Sequence, residues 1–216
     1  MRIGVLGTGV VGKAIASRLI VLGHTVTMGS RSAENAEART WAQKSGENAH
    51  SGTFAQAAAY GELVVNATAG TASLAVLEAA GVENLRGKIL IDIANPLDFS
   101  HGMPPSLTVC NTDSLGEQIQ RAHPEARVVK TLNTVNCEVM VDPSKVPGTH
   151  SIFVSGNDPA AKQEASDLLV LFGWPAHAII DLGDIGTARG PEMYLALWLR
   201  LLGVLGTGHL NIAVMR

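Results

Sequence analysis

The sequence predicts an α/β fold of the Rossmann type: a doubly wound, mostly parallel sheet with a small C-terminal helical and strand extension. Three observations predict it. Apolar runs alternate with helix-patterned stretches along the chain. Several of these runs are continuously apolar, as strands covered on both faces require. A glycine-rich turn joins the first run to the first helix.

Taken in order, Arg2–Leu6 is a short apolar strand ending at glycine, and Val11–Leu22 is helix-patterned with Gly23 as its stop. Thr25–Met28 reads as a second strand. Ser32 can cap a helix over Ala33–Lys44, with Glu34 near its positive end. Thr53-Phe54-Ala55-Gln56 has the form of a capping box opening another short helix. Leu63–Ala67, Ile89–Ala94 and Arg127–Leu132 are runs rich in Val and Ile that suit buried parallel strands. Ser114-Leu115-Gly116-Glu117 is a second capping box, before a helix ending near His123-Pro124. After Pro147, Ser151–Val154 is a strand. Asp158 caps a helix with Pro159 at its first position, running to Phe172 with Gly173 beyond. Ala176–Ile180 is a further strand, and Gly190-Pro191-Glu192 opens an apolar C-terminal helix punctuated by Gly203, Gly206 and Gly208.

Composition narrows the function classes. With 46% hydrophobic and 16% charged residues the chain is no disordered segment, and a net charge of −3 without any basic block argues against nucleic acid as a partner. The chain enters a strand at once, so no signal peptide is expected. The longest apolar stretch, Met193 to Leu205, is interrupted by Arg200 and falls short of the roughly 20 residues a bilayer needs. Cys110 and Cys137 lack CxxC spacing, so structural thiols in a reducing cytoplasm are expected.

Gly7-Thr8-Gly9-Val10-Val11-Gly12 is a complete G-x-G-x-x-G directly after a strand and before a helix. Gly7 permits the tight turn, Gly9 the approach of a pyrophosphate, and Gly12 close packing of helix on strand. The anion would sit on free N–H groups at the helix N-terminus. A glycine-rich turn without a ligand is the alternative, but strand, helix and position together favour a dinucleotide. Its type follows from the end of the second strand. An NAD-selective fold places a carboxylate there, about 20 residues past the turn. This chain has Gly29-Ser30-Arg31-Ser32. Ser30 could donate to a 2′-phosphate, and Arg31 could pair with it or stack on adenine, which favours NADP(H). Otherwise Arg31 is a solvated surface charge and Ser30 a turn residue. On this reading residues 1–148 form an NADP-binding domain. Residues 149–216 form a smaller unit that contributes to the substrate cleft and a dimer interface.

The motifs Gly7-Thr8-Gly9, Met28-Gly29-Ser30-Arg31, Val129-Lys130-Thr131-Leu132-Asn133-Thr134 and the glycine-punctuated Gly203–Asn211 segment give the chain a family resemblance over essentially its whole length. It resembles the coenzyme F420-dependent NADP oxidoreductases. The first two motifs occur in many NADP-binding proteins, including the reductase domain of membrane ferric reductases; the last two are more specific. The resemblance implies hydride transfer between NADPH and a deazaflavin, coenzyme F420, as co-substrate, with both rings stacked in one cleft. It assigns the nicotinamide side to Thr68, Ala69, Asn95, Pro96, Thr134, Val135 and Asn136, and the deazaflavin side to Gly206, Thr207 and Gly208. Family members often carry a second basic residue one helical turn past the Ser-Arg pair. Here Asn35 stands at that place on the cofactor side, a departure that would weaken the hold on the 2′-phosphate without abolishing it.

Hydride transfer between rings needs proximity and orientation more than an acid–base residue, and positioning alone can supply roughly 7–11 kcal/mol. No catalytic dyad is therefore assigned. The strand ends Thr68-Ala69-Gly70-Thr71, Asn95-Pro96 and Asn133-Thr134-Val135-Asn136 would line the ligand crevice, though Asn and Thr also serve simply to cap turns. Asn95-Pro96 is also a candidate cis peptide. The seven histidines show no metal-ligand spacing, so no metal is expected. His209 follows the glycine-rich segment and is a candidate substrate contact. Two other readings stay open. One is a reductase of a small carbonyl or imine, which would want a proton donor such as Lys130. The other is a non-catalytic NADPH-binding sensor. Leu195, Leu197, Trp198, Leu199, Leu201, Leu202 and Leu205 cover most of the last helix, as in a homodimer interface or a helix buried on its own sheet.

Overall fold

The computed structural model describes residues 1–215. The N-terminal half alternates strand and helix: β1 (Arg2–Leu6), α1 (Val10–Val21), β2 (Thr25–Ser30), α2 (Ala36–Ser45), β3 (Ala49–Thr53), α3 (Phe54–Tyr60), β4 (Leu63–Asn66), α4 (Gly70–Ala80), α5 (Val82–Leu85) and β5 (Ile89–Asp92). A small antiparallel ribbon follows, β6 (Leu97–Asp98) with β7 (Ser106–Leu107), then α6 (Leu115–Ala122), β8 (Arg127–Thr131) and α7 (Cys137–Val141). The chain continues through β9 (Ile152–Gly156), α8 (Pro159–Phe172), β10 (Ile179–Asp181), α9 (Arg189–Met193) and α10 (Leu195–Leu205).

Eight strands form one sheet in the order β10-β9-β8-β5-β4-β1-β2-β3. From β3 through β8 every pairing is parallel, and the order reverses direction beside β1, which creates a switch point there. β9 joins antiparallel to β8, and β10 lies parallel to β9. The segment from 149 onward thus extends the same sheet and then adds α9 and α10 above its C-terminal edge.

Strand periodicity divides the core. Ile3, Val5, Leu63, Val65, Ile89, Ile91 and Val129 face one cluster beneath α1, α7 and α8. Leu6, Val64, Leu90 and Val128 face the other, beneath α3, α4 and α6. Both faces are covered, which is why these strands read as unbroken apolar runs.

Several elements differ from the sequence expectation. β3, the edge strand, carries no strand signal in the sequence: Ala-His-Ser-Gly-Thr has no apolar run, and it pairs with β2 alone. Asn35, not Ser32, caps α2: its side chain accepts from the Ala38 N–H at 2.9 Å, while Ser32 Oγ accepts from Glu34 N–H in the preceding turn. The Thr53 capping box forms in full. At Ser114 only half of it forms, because the Glu117 carboxylate turns to Arg189 and to the Ser114 hydroxyl. Residues 176–178 are a 3₁₀ turn, leaving Ile179–Asp181 as the strand. The last helix is broken after Met193 into α9 and α10. Met103–Pro104 is the cis bond among the described residues, so Asn95–Pro96 is trans.

Candidate active site

β1 delivers the chain to Gly7, whose φ of 120° lies in the region that favours glycine. A Cβ at Gly12 would come within 2.2 Å of the Gly7 carbonyl oxygen, so α1 packs on the turn more closely than any side chain allows. Gly9 has open space around it and caps α1 without any side-chain bond, and the first turn of α1 carries no acidic residue. The N–H groups there are free for an anion, and a pyrophosphate fits.

Two cavities meet above this turn. One, about 430 Å³, is lined by Gly7, Thr8, Gly9, Ser30, Arg31, Asn35 and Phe54. The other, about 370 Å³, runs over the ends of β4, β5 and β8 and is lined by Val10, Val11, Asn95, Val135, Asn136 and a largely apolar wall. Ala67, Thr68 and Ala69 belong to both, so the cavities form one crevice bent across the switch point.

In the first cavity Arg31 is exposed and has no ion-pair partner among the described residues, whereas Lys13 pairs with Glu37 and Arg39 with Glu34. An unpaired guanidinium without a nearby carboxylate partner suits a 2′-phosphate. Ser30 departs from expectation. It is buried, and its hydroxyl donates to the Ser32 carbonyl at 2.6 Å, which leaves its proton engaged inside the protein. Asn35 lines the cavity, but its side-chain oxygen is committed to capping α2.

In the second cavity the polar strand ends are largely tied to one another. Asn95 Nδ2 donates to the Asn133 carbonyl at 2.8 Å, and Asn133 Nδ2 donates back to Asn95 Oδ1 at 3.0 Å. Leu132, with φ of 61°, turns the chain at the end of β8 just before this reciprocal pair, a costly conformation for a branched residue. Thr68 Oγ donates to Asn66 Oδ1 at 2.6 Å. Pro96 and Thr134 are buried and lie outside the lining. Cys137 lines the cavity, but burial and the neighbouring Glu138 raise its pKa, so it is held as the thiol.

The glycine-rich segment stands off this wall. Gly206, Thr207, Gly208 and His209 do not line the cavity. Gly208 packs against the Asn136 carboxamide, and His209 Nε2 lies 2.8 Å from Glu138 Oε2 on the exposed side. The wall instead comes from Leu195, Trp198 and Leu199 of α10 and from Leu97 and Phe99 beside the β6–β7 ribbon. In sequence the α10 residues carry the apolar signal of an interface or core helix, and a cavity wall shares that signal.

Lys130, a candidate proton donor on sequence grounds, is 1% exposed beneath the crevice floor. Its ammonium is held by Asp92 and Glu192 at 2.7 and 2.8 Å and by the Ala94 carbonyl at 2.5 Å. Burial pushes its pKa down, but the two carboxylates outweigh that and the net shift is upward, so it keeps its proton. Among the described residues no cluster of His, Cys, Asp and Glu could hold a metal ion, and no helix is long and apolar enough to cross a membrane.

Comparison with known proteins is consistent with this geometry. The family profile of coenzyme F420-dependent NADP oxidoreductases matches residues 2–96, which hold the turn, Arg31 and the first crevice strands. A solved structure from Arthrobacter sp. FB24, provisionally named an F420-dependent NADP-reductase, is 56% identical, covers 99% of both chains and superposes with a TM-score of 0.93. The chain belongs to the coenzyme F420-dependent NADP oxidoreductase family. This F420-dependent-family member is an NADP-dependent oxidoreductase built on a Rossmann-type sheet. It also aligns with metalloreductase STEAP3 of Rattus norvegicus at 24% identity over 201 residues, covering 93% of this chain. The chain spans only 37% of the length of that curated relative. A reductive aminase from Aspergillus terreus, solved with NADPH and ethyl levulinate, shares the fold at 21% identity and a TM-score of 0.67, covering 95% of this chain and 62% of the other.

Proposed function

We propose that the protein transfers a hydride directly between NADPH and a deazaflavin, coenzyme F420, or a related flavin-like acceptor bound in the same crevice. The observation that carries this reading is the bent crevice. Its phosphate corner holds Arg31, and its far arm is an apolar cavity of about 370 Å³ at the strand ends. The turn Gly7–Gly12 would hold the pyrophosphate, Arg31 the 2′-phosphate, and Thr68, Ala69, Asn95, Val135 and Asn136 would surround the nicotinamide. NADPH, when bound, supplies the hydride. The chain's part is to align the ring and to keep water out with Leu195, Trp198 and Leu199, because two planar rings held in register need no acid–base residue. Lys130 has all its donors engaged below the floor, which weighs against a carbonyl or imine reductase that draws its proton from that residue.

Turnover tests the reading: NADPH oxidation is followed at the nicotinamide absorbance with oxidised F420, then with FMN. Consumption with the deazaflavin is the expected result. Tight NADPH binding without turnover on either acceptor would favour the sensor reading instead. Trp198→Leu should raise the KM for the acceptor roughly threefold to tenfold, the worth of an aromatic wall, with NADPH affinity within about twofold of the parent. Equal acceptor KM values would remove Trp198 from the acceptor site.

We place the homodimer contact on α10, whose Leu197, Val204 and Leu205 are exposed. Light scattering should give twice the monomer mass for the parent and a monomer for Val204→Glu; a monomeric parent overturns this placement. Free thiols at Cys110 and Cys137 support a reducing, cytoplasmic setting.

A further inference from the structure

Asp92, Lys130 and Glu192 form a buried ionic cluster that the hydride reading does not use. Their side chains are at most 1% exposed. Burying three charges is costly, and packed apolar residues often serve stability as well or better. Stability alone therefore gives no reason for the cluster, whereas what it ties together does.

Lys130 grips the Ala94 carbonyl at 2.5 Å, while Asp92 Oδ1 accepts from the Ala94 N–H at 3.2 Å. The Ala94 peptide is thus held on both sides, and Ala94 lines the apolar arm of the crevice. Asp92 Oδ1 also accepts from Asn66 Nδ2 at 2.8 Å, and Asn66 Oδ1 accepts from the Thr68 hydroxyl at 2.6 Å, which carries the chain of bonds to the joint between the two cavities. On the other side, Glu192 sits on α9, immediately ahead of the α10 wall. Its carboxylate accepts from the Leu115 and Gly116 N–H groups at 2.8 and 3.0 Å and pairs with Lys130. Each partner of the carboxylates is a donor, so the cluster is fully bonded and has one arrangement.

We infer that Lys130 and Glu192 are positioning residues that lock the α9–α10 wall in register with the crevice floor at Ala94 and Thr68. This rests on the proposed NADP(H) reading. It sets the geometry of the ring arm and of its joint at Thr68, and leaves Arg31, at the end of β2 on the far side of β1, untouched.

The test compares two probes on Glu192→Gln, a variant of nearly unchanged volume. Adenosine 2′,5′-bisphosphate reports the phosphate corner alone, and NADPH reports both arms. The expected result is bisphosphate affinity within about twofold of the parent, NADPH affinity at least fivefold weaker, and a kcat lowered by roughly tenfold to a hundredfold, as for a displacement of about 1 Å. A merely structural residue would lower Tm while leaving the ratio of the two affinities at the parental value, and that result overturns the inference. Should Glu192→Gln not fold, Glu192→Asp, which keeps the charge but withdraws it from Lys130, is read on the same ratio with the same two outcomes. If the parent itself fails to bind the bisphosphate, the cofactor reading falls, and this inference with it.

Discussion

Gly12→Ala is expected to abolish NADPH binding at concentrations that saturate the parent. The new Cβ would lie 2.2 Å from the Gly7 carbonyl oxygen and 2.9 Å from its carbon, both backbone atoms that no rotamer can move away. Relief requires α1 to shift by about an ångström from β1, at a cost of roughly 1–3 kcal/mol in overpacking. The same shift carries the free N–H groups of the helix start away from the pyrophosphate. A displacement of that size costs about a hundredfold where geometry decides. Calorimetric titration checks it. A variant that retains half the parental affinity would mean that the turn does not hold the phosphates.

Arg31→Ala is expected to weaken NADPH by between about tenfold and a hundredfold. The guanidinium is exposed and free of any ion pair among the described residues, so nothing has to be broken before it meets a phosphate. Hydrogen bonds to charged groups contribute about 1.5–3 kcal/mol, and exposure places Arg31 toward the lower end. Little compensation is at hand: Ser30 keeps its hydroxyl proton on the Ser32 carbonyl, and Asn35 caps α2. The same substitution should leave the melting temperature unchanged, since Arg31 supports no neighbour. Unchanged NADPH affinity in the variant would make Arg31 a plain surface charge.

Much of the fold could be read from the chain because its strands carry its signal. Leu63–Val65 and Ile89–Ile91 are buried on both faces and therefore uniformly apolar, in runs too short for a helix of ordinary length. Helix α8 announced both its ends, with Asp158, Pro159 and Gly173 each in the place its backbone demands. β3 gave no such signal, since an edge strand exposed on one side needs no apolar run. The phosphate turn was legible because each glycine answers a local steric demand. The ring arm was less so. Its wall depends on how α10 folds back over the sheet, a tertiary fact that leucine and tryptophan spacing does not encode. Ser30 and Asn95 line the crevice, but the Ser30 hydroxyl proton goes to the Ser32 carbonyl and the Asn95 carboxamide bonds Asn133, commitments visible only when the partners are in place.

The bent crevice with Arg31 at its phosphate corner stands or falls on cofactor choice. Titration of the parent with NADPH and with NADH, followed by the fluorescence of the reduced nicotinamide, tests it most directly. The account predicts NADPH binding at least tenfold tighter, since the two differ only by the phosphate that Arg31 would meet. Equal affinities, or a preference for NADH, would contradict it.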